Sequence, residues 1–320
     1  MNMNERMTMK LPTAQVAIIT RTKDRPILLK RAIESVINQE HTDWLHVIVN
    51  DVGEKDSVDH LVASYKDAYN DRVIVIHRES STGMESASNT GINASDSTYL
   101  VIHDDDDAWH PQFLSKTVGH MEAGFPVNNV GGVLCHSTSV HERIENDRVV
   151  EVQRAPYNHG VKEVTLWKLC VGNFFPPISF IFTREAFHKL GGAFCEELPV
   201  LGDWEFNLRF LMEYELVVLQ EPLAYYHHRV EDKNPQSIYA NSIISGLNKH
   251  EFYGTYLRNE LLRKDLREGK VGLGFLVNQA GALVKLEAAN SRMKRVWHDI
   301  LRILKPIRWV CRKWIGIRSK

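Results

Sequence analysis

Four consecutive aspartates, Asp104, Asp105, Asp106 and Asp107, follow the apolar run YLVI at 99–102 and precede Ala108-Trp109-His110-Pro111. Carboxylates packed this closely repel one another and hold protons more tightly unless a cation neutralises them, so a divalent metal is their natural partner. All-oxygen ligands favour a hard ion, Mg2+ or Mn2+, which keeps positions open for water and for diphosphate oxygens. An isolated acidic run is ordinarily a solvated turn. Placement at the end of a strand of buried type, with a tryptophan and a proline directly after it, argues instead for a built site. A further carboxylate, Asp203, stands in Gly202-Asp203-Trp204-Glu205 at an expected helix start. There it can be held rigidly as a general base or serve as an N-cap, and the two roles are compatible. A helix N-terminus depresses the pKa of such a group, so enclosure by substrate has to restore its basicity.

The elements that must position these groups alternate along the first hundred residues. Residues 16–20 (VAIIT), 45–49 (LHVIV), 73–76 (VIVI) and 99–102 (YLVI) read as short buried strands. Between them lie stretches of helical spacing: one opening at Pro26, one over 58–69 and one over 84–94. Strands joined by helix-length crossovers make a parallel sheet with helices on both faces, and ligands bind beyond the carboxyl ends of such strands. Four polar runs end these strands: Thr20-Arg21-Thr22-Lys23-Asp24-Arg25, Asn50-Asp51-Val52-Gly53, His77-Arg78-Glu79 and the aspartates. Beyond Pro111 the pattern predicts a strand at 132–136, a hairpin around 145–147, a helix near 162–170, a strand at 179–183 and a helix from Gly202. Strands at 216–219 and 225–229 follow, and helix predominates from 237 onward.

Taken together, these runs resemble family 2 of the inverting glycosyltransferases, over about two thirds of the chain. The most specific piece is the motif D-x-D followed by D-x-W-x-P, met here at residues 104–111. The loop at 20–26 is similar to the family's first nucleotide-contacting loop, and Asn50-Asp51-Val52-Gly53 to its D-D-G-S motif. Ser88-Asn89-Thr90-Gly91 is similar to its A-R-N-x-G segment, and 202–205 followed by Leu208-Arg209 to the E-D-W-D helix start that carries the base. The resemblance implies a GT-A fold, a Rossmann-like, mostly parallel α/β sheet flanked by helices. It implies transfer from a nucleotide-sugar donor, a UDP-sugar favoured, to a glycan or lipid-linked glycan in surface polysaccharide biosynthesis. Asp203 becomes the expected base. Thr20, Arg21, Asp24, Arg25, Asp51, Asn89, Asp104 and Asp105 become the expected donor contacts, and Asp106, Asp104 and His228 the expected ligands of Mg2+ or Mn2+. Of the metal candidates Asp106 is the choice for direct coordination. His228 is equally readable as a surface or core histidine.

This sequence departs from the family at several of these positions. Gly202 stands where many relatives have a second acid, so any helper role of that acid is expected to be absent. Asn50 and Glu54 replace the usual Asp and Ser around the second-strand motif. Asn173-Phe174-Phe175-Pro176-Pro177 can line an acceptor cleft with aromatic faces or pack in the core. Two other readings compete. A sugar nucleotidyltransferase would need a glycine-rich loop after the first strand, and residues 20–26 contain no glycine. A non-catalytic nucleotide-sugar or glycan-binding module would keep the binding groups and show no turnover.

The chain's 320 residues can bury a full core, and its 39 basic and 40 acidic residues sum to −1. Four scattered cysteines without a C-x-x-C pair predict neither a zinc site nor a disulfide framework. No run of apolar residues has the length of a signal peptide core or a membrane span, so a cytoplasmic protein is expected. The charge is unevenly spread: residues 291–320 carry ten basic side chains against Asp299 alone, a net of +9, which leaves −10 on residues 1–290. Apolar residues Met293, Val296, Trp297, Ile300, Leu304, Ile307, Val310 and Trp314 recur there at helical spacing. Such a segment lies in the plane of an anionic membrane, on its inner face, or packs on the body of the protein; nucleic acid is not an expected partner. The expected organisation is a tail at 1–14, a catalytic domain at 15–236, a helical extension at 237–290 and the basic amphipathic segment at 291–320, as one helix or as two meeting at Pro306.

Overall fold

A computed structural model describes residues 11–125, 129–146, 148–229 and 247–316. The chain divides into two compact units, Met1–Gly254 and Thr255–Lys320. In the first, β1 (Val16–Thr22), β2 (Trp44–Asn50), β3 (Val73–His77) and β4 (Tyr99–Ile102) are linked through α1 (Pro26–Ile37), α2 (Lys55–Ala63), α3 (Lys66–Tyr69) and α4 (Met84–Ile92). All adjacent pairs among these four strands are parallel, as the crossover pattern predicts, and they stand in the order β3-β2-β1-β4. β1 and β2 are buried almost throughout, because helices cover both faces of a parallel sheet.

The second half of the sheet is mixed. β8 (Phe180–Thr183) runs antiparallel to β4 and to β6 (Val130–Glu145), and β6 pairs in parallel with β9 (Glu215–Arg229). β7 (Arg148–Pro156) folds back on β6 as a hairpin, and the two-residue β5 (Ala108–Trp109) pairs with β9. The hairpin is where residues 145–147 predict it, although Asp147 lies outside the described residues. Two strands are longer than their apolar runs. β6 and β9 extend through polar residues and re-register around Cys135 and His136, which carries their polar ends to the site. α5 (Phe113–Ala123), α6 (Leu166–Val171), α7 (Arg184–Lys189) and α8 (Gly202–Glu213) complete this unit. α6 starts at Leu166, four residues later than expected from the sequence, after Thr165, whose hydroxyl accepts from the Lys168 amide at 3.2 Å and caps it.

Two contacts fix the sheet against its helices near the site. A Cβ on Gly91 would lie 2.5 Å from Ile19 Cγ2 and 3.0 Å from Val49 Cγ2, so only glycine lets α4 pack this closely on β1 and β2. Trp109 stacks on Phe113 at 4.3 Å, and its Nε1 donates to the Ile178 carbonyl at 2.7 Å, anchoring the chain just after the aspartates.

α9 (Leu247–Arg267) precedes α10 (Leu273–Gly316), one continuous helix that passes through Pro306 rather than two meeting there. On α10, Leu286, Met293, Val296 and Trp297 are exposed. The expectations for residues 1–10 and 237–246, and for the side chains from 299 onward, lie outside the described residues.

Candidate active site

The carboxyl ends of β1, β2 and β4 open onto two adjoining cavities, of about 310 and 190 Å³. Arg21, Met84 and Asp104 border both. Thr22, Lys23, Arg25, Asp51 and Asp106 border the smaller one, and Glu85, Asn173 and Asp203 the larger. The polar strand ends thus converge, as a parallel sheet requires.

The four aspartates separate into two kinds. Asp104 and Asp106 face the cavities, whereas Asp105 and Asp107 are buried beneath them. Arg21 Nε donates to Asp104 Oδ1 at 3.0 Å, and Arg229 Nη2 donates to Asp106 Oδ2 at 2.5 Å. Arg25 donates through Nε to Asp105 Oδ2 at 3.1 Å, and its Nη1 lies 3.5 Å from Asp106 Oδ2. Burial opposes ionisation of Asp106, but Arg25 and Arg229 outweigh it and hold its carboxyl below the ordinary range. Burial pushes Asp105 up to about 6 against the pull of Arg25. Asp107 is pushed well up by burial and by its acidic neighbours; its Oδ1 accepts the His227 amide at 2.8 Å and its Oδ2 has no partner among the described residues. The fourth aspartate therefore ties β9 to the turn rather than facing a ligand.

The start of α8, which carries Asp203, is organised around a strained entry. Leu201, the residue before the helix, sits at φ +68, and Val52 and Asp24 in the neighbouring loops sit at φ +66 and +53. Left-handed backbone at non-glycine residues costs about 1–3 kcal/mol each and collects at functional sites. Asp203 is the second helical residue, so it is not the N-cap. Its Oδ1 accepts from the Trp204 amide at 2.8 Å and its Oδ2 from Asn173 Nδ2 at 2.7 Å. Burial raises its pKa, opposed by the Trp204 amide and by Arg21. Trp204 Nε1 donates to the Leu169 carbonyl at 2.8 Å and fixes the helix start against α6.

Asp51 accepts from Arg78 Nη1 at 2.6 Å and from the Ser81 hydroxyl at 2.5 Å, at the rim of the smaller cavity. Asp24 borders neither cavity; its Oδ1 accepts the Glu54 amide at 2.8 Å and joins the loops after β1 and β2. Thr20 is fully buried, with its hydroxyl 2.8 Å from His46 Nε2. Asn89 is buried too. Its amide donates to the Phe194 carbonyl at 3.0 Å and accepts the Phe194 amide at 2.8 Å, holding that loop against α4. His228 stacks on His141 at 5.5 Å and meets Tyr226 edge-on at 4.2 Å; no hydrogen bond or ion pair among the described residues joins it to Asp104 or Asp106. Burial, followed by His141, lowers its pKa to about 4.

Several groups at the site escape a reading of the sequence. Glu142 on β6 accepts from Arg31 Nη1 at 2.7 Å and lies 2.7 Å from His227 Nδ1, while Arg31 also donates to the Asp106 carbonyl. Burial would raise the Glu142 pKa, but His227 and Arg31 bring it down to about 2. Nothing in the sequence around Glu142 marks it, since its role comes from the sheet register. Glu85 is a second such group. Its one sign in the sequence is Gly202, where the family resemblance leads to the expectation of an acid.

The residues present suit a divalent cation. Asp104 Oδ2 and Asp106 Oδ1 accept no hydrogen bond from the described residues, border one cavity, and form a hard all-oxygen donor pair. Among the described residues no three His, Cys, Asp or Glu side chains gather around one point, so this pair would leave further positions to water or ligand oxygens.

The family profile described as Glycosyl transferase family 2 matches residues 17–191, more than half of the chain. The chain belongs to glycosyl transferase family 2. It is 33% identical over 108 residues to an Escherichia coli (strain K12) protein provisionally named colanic acid biosynthesis glycosyl transferase WcaA, covering 33% of this chain and 38% of that one. It is 26% identical over 239 residues to the uncharacterized glycosyltransferase EpsJ of Bacillus subtilis (strain 168), covering 70% of this chain and 62% of that one. The chain thus spans less than two thirds of either relative. Among solved structures, S. aureus TarS 1-349 in complex with UDP-GlcNAc superposes with a TM-score of 0.55 at 17% identity, over 70% of this chain and 61% of that one. Mannosyltransferase PcManGT from Pyrobaculum calidifontis, in complex with GDP-Man and Mn2+, superposes with a TM-score of 0.51 at 18% identity, over 69% and 59%. The α/β fold expected from the sequence is the one these GT-A structures have.

Proposed function

We propose that the chain is an inverting, metal-dependent glycosyltransferase that moves a sugar from a nucleotide-diphosphate sugar to a hydroxyl of a glycan or lipid-linked glycan. The observation that carries this reading is the placement of Asp203 and Asp104 on one cavity, with Arg21 between the two loops. An acceptor hydroxyl entering beside Asp203 gives its proton to that carboxylate as its oxygen attacks the anomeric carbon. The bond from that carbon to the diphosphate oxygen breaks, and a single displacement of this kind inverts the centre. In this reading Arg21 and Arg25, which line the smaller cavity, would meet the diphosphate, and Asp51 the nucleoside. Asp104 and Asp106 would hold Mg2+ or Mn2+, which takes up charge on the departing diphosphate when bound. A UDP-sugar is the proposed donor, supported by the fold shared with TarS, which has been solved with UDP and UDP-GlcNAc. Surface polysaccharide biosynthesis is the proposed setting, supported by the name of WcaA.

The proposed organisation is a catalytic domain over 15–236, a helical extension over 237–290 and a membrane-surface segment over 291–320. Among the described residues no helix is long and apolar enough to cross a membrane. Exposed Met293, Val296 and Trp297 beside Arg292, Lys294 and Arg295 suit the inner face of an anionic bilayer. The function is tested by incubating the protein with a panel of UDP-, GDP- and dTDP-sugars and methyl glycoside acceptors, with Mn2+ or with excess chelator. Transfer from one donor that stops on chelation is the expected result. Transfer undiminished by chelation contradicts the metal role, and binding without transfer or hydrolysis of any donor favours a binding module.

A further inference from the structure

The geometry points to Glu85 as the second carboxylate of the acceptor subsite, with Gly202 as the residue that admits it. The inference rests on the reading of Asp203 as the base. Gly202 opens α8, and its φ lies outside the left-handed region, so the backbone does not demand glycine there. The space does. A Cβ on Gly202 would stand 2.5 Å from Cγ, Cδ and Oε1 of Glu85, so no side chain at 202 coexists with Glu85 in this position. Glu85, from the first turn of α4, thus fills the space that a side chain at 202 would take.

Glu85 is only 4% exposed, yet its carboxyl borders the larger cavity beside Asp203. It accepts no hydrogen bond from the described residues. Arg21 Nη1 is 3.7 Å away, beyond hydrogen-bond distance, and is itself tied to the Ser88 hydroxyl at 3.2 Å. A buried carboxyl without donors is costly unless a ligand supplies them. A diphosphate is a poor source, since it brings only acceptors, and it meets like charge wherever Glu85, which burial lifts to about 7 against the pull of Arg21, is ionised. A sugar hydroxyl can supply one.

Glu85 therefore accepts a hydrogen bond from a hydroxyl next to the one that Asp203 deprotonates. Together the two carboxylates grip a pair of adjacent hydroxyls and fix which of them attacks. The ligand class is a sugar or polyol with neighbouring free hydroxyls, and an acceptor lacking the second hydroxyl is rejected because the carboxyl is then left unpaired.

The test uses the full-length protein, with the donor and methyl glycoside that give turnover. Glu85→Gln, close in shape, is expected to lower kcat/KM for the acceptor by about tenfold or more, mainly through KM, while the dissociation constant for the nucleotide sugar stays within about twofold. The acceptor deoxygenated next to the attacking position is expected to be poor for the native protein and to lose its disadvantage with Glu85→Gln. The double variant Glu85→Ala/Gly202→Glu is expected to exceed Glu85→Ala in acceptor kcat/KM, because the carboxyl returns from the other side. Native acceptor kinetics in Glu85→Gln, with Asp203→Asn inactive, overturn this inference and leave the base intact. Transfer by Asp203→Asn at the native rate overturns the underlying reading instead.

Discussion

Asn173 Nδ2 donates to Asp203 Oδ2 at 2.7 Å, joining the segment after α6 to the start of α8 in the lining of the larger cavity. This bond and the Trp204 amide together leave Asp203 one orientation, with its free lone pairs toward the cavity. Asn173→Ala is expected to lower kcat by about tenfold or more through misplacement of the base, with donor affinity unchanged. A native kcat in steady-state transfer assays contradicts this.

The raised pKa of Asp203 gives a pH prediction. A base acts when deprotonated, so the rate falls as pH drops through its pKa. Because burial lifts that value, the acidic limb of kcat/KM for the acceptor is expected above the range of about 3.9 typical of an exposed aspartate. An acid limb at or below that range, in a profile over which the protein stays folded, contradicts a buried base.

Glu142 predicts a stability effect. Its carboxylate is 1% exposed and shared by Arg31 and His227. Glu142→Ala leaves Arg31 facing a buried gap and is expected to cost about 3 kcal/mol in urea unfolding. The Glu142 pKa is depressed to about 2, so the stability it supplies is present above the ordinary glutamate range and is lost as pH falls toward that value. A change under about 1 kcal/mol at neutral pH contradicts the buried pairing.

The basic end of α10 predicts vesicle binding. Truncation after Asn290 is expected to abolish sedimentation with vesicles containing phosphatidylglycerol, and to leave turnover of a soluble acceptor intact. Unchanged sedimentation contradicts the membrane role.

The parallel half of the sheet is legible in the sequence because each strand is a short β-branched run with a turn at each end. The convergence of Arg21, Asp51 and Asp104 follows from that topology alone. Asp203 is visible through its helix start. Residues set by register are not: Glu142 meets Arg31 only because β6 runs well past its apolar core, and Glu85 meets α8 only because Gly202 leaves room. Within the matched motifs, spacing does not give direction either. Thr20 on β1, Asn89 on α4 and Asp105 after β4 lie within the matched motifs, yet their side chains turn into the core, where His46, Phe194 and Arg25 hold them. The overall charge hides a similar division, between an acidic body whose aspartates are matched by arginines and a basic C-terminal segment.

The most direct measurement of the central claim compares Asp203→Asn with the native protein, by sugar transfer and by calorimetric binding of the nucleotide sugar. Loss of transfer by about a hundredfold or more, with donor affinity within about twofold of native, is the predicted result. Retained transfer, or loss of donor binding by a folded variant, contradicts Asp203 as the base.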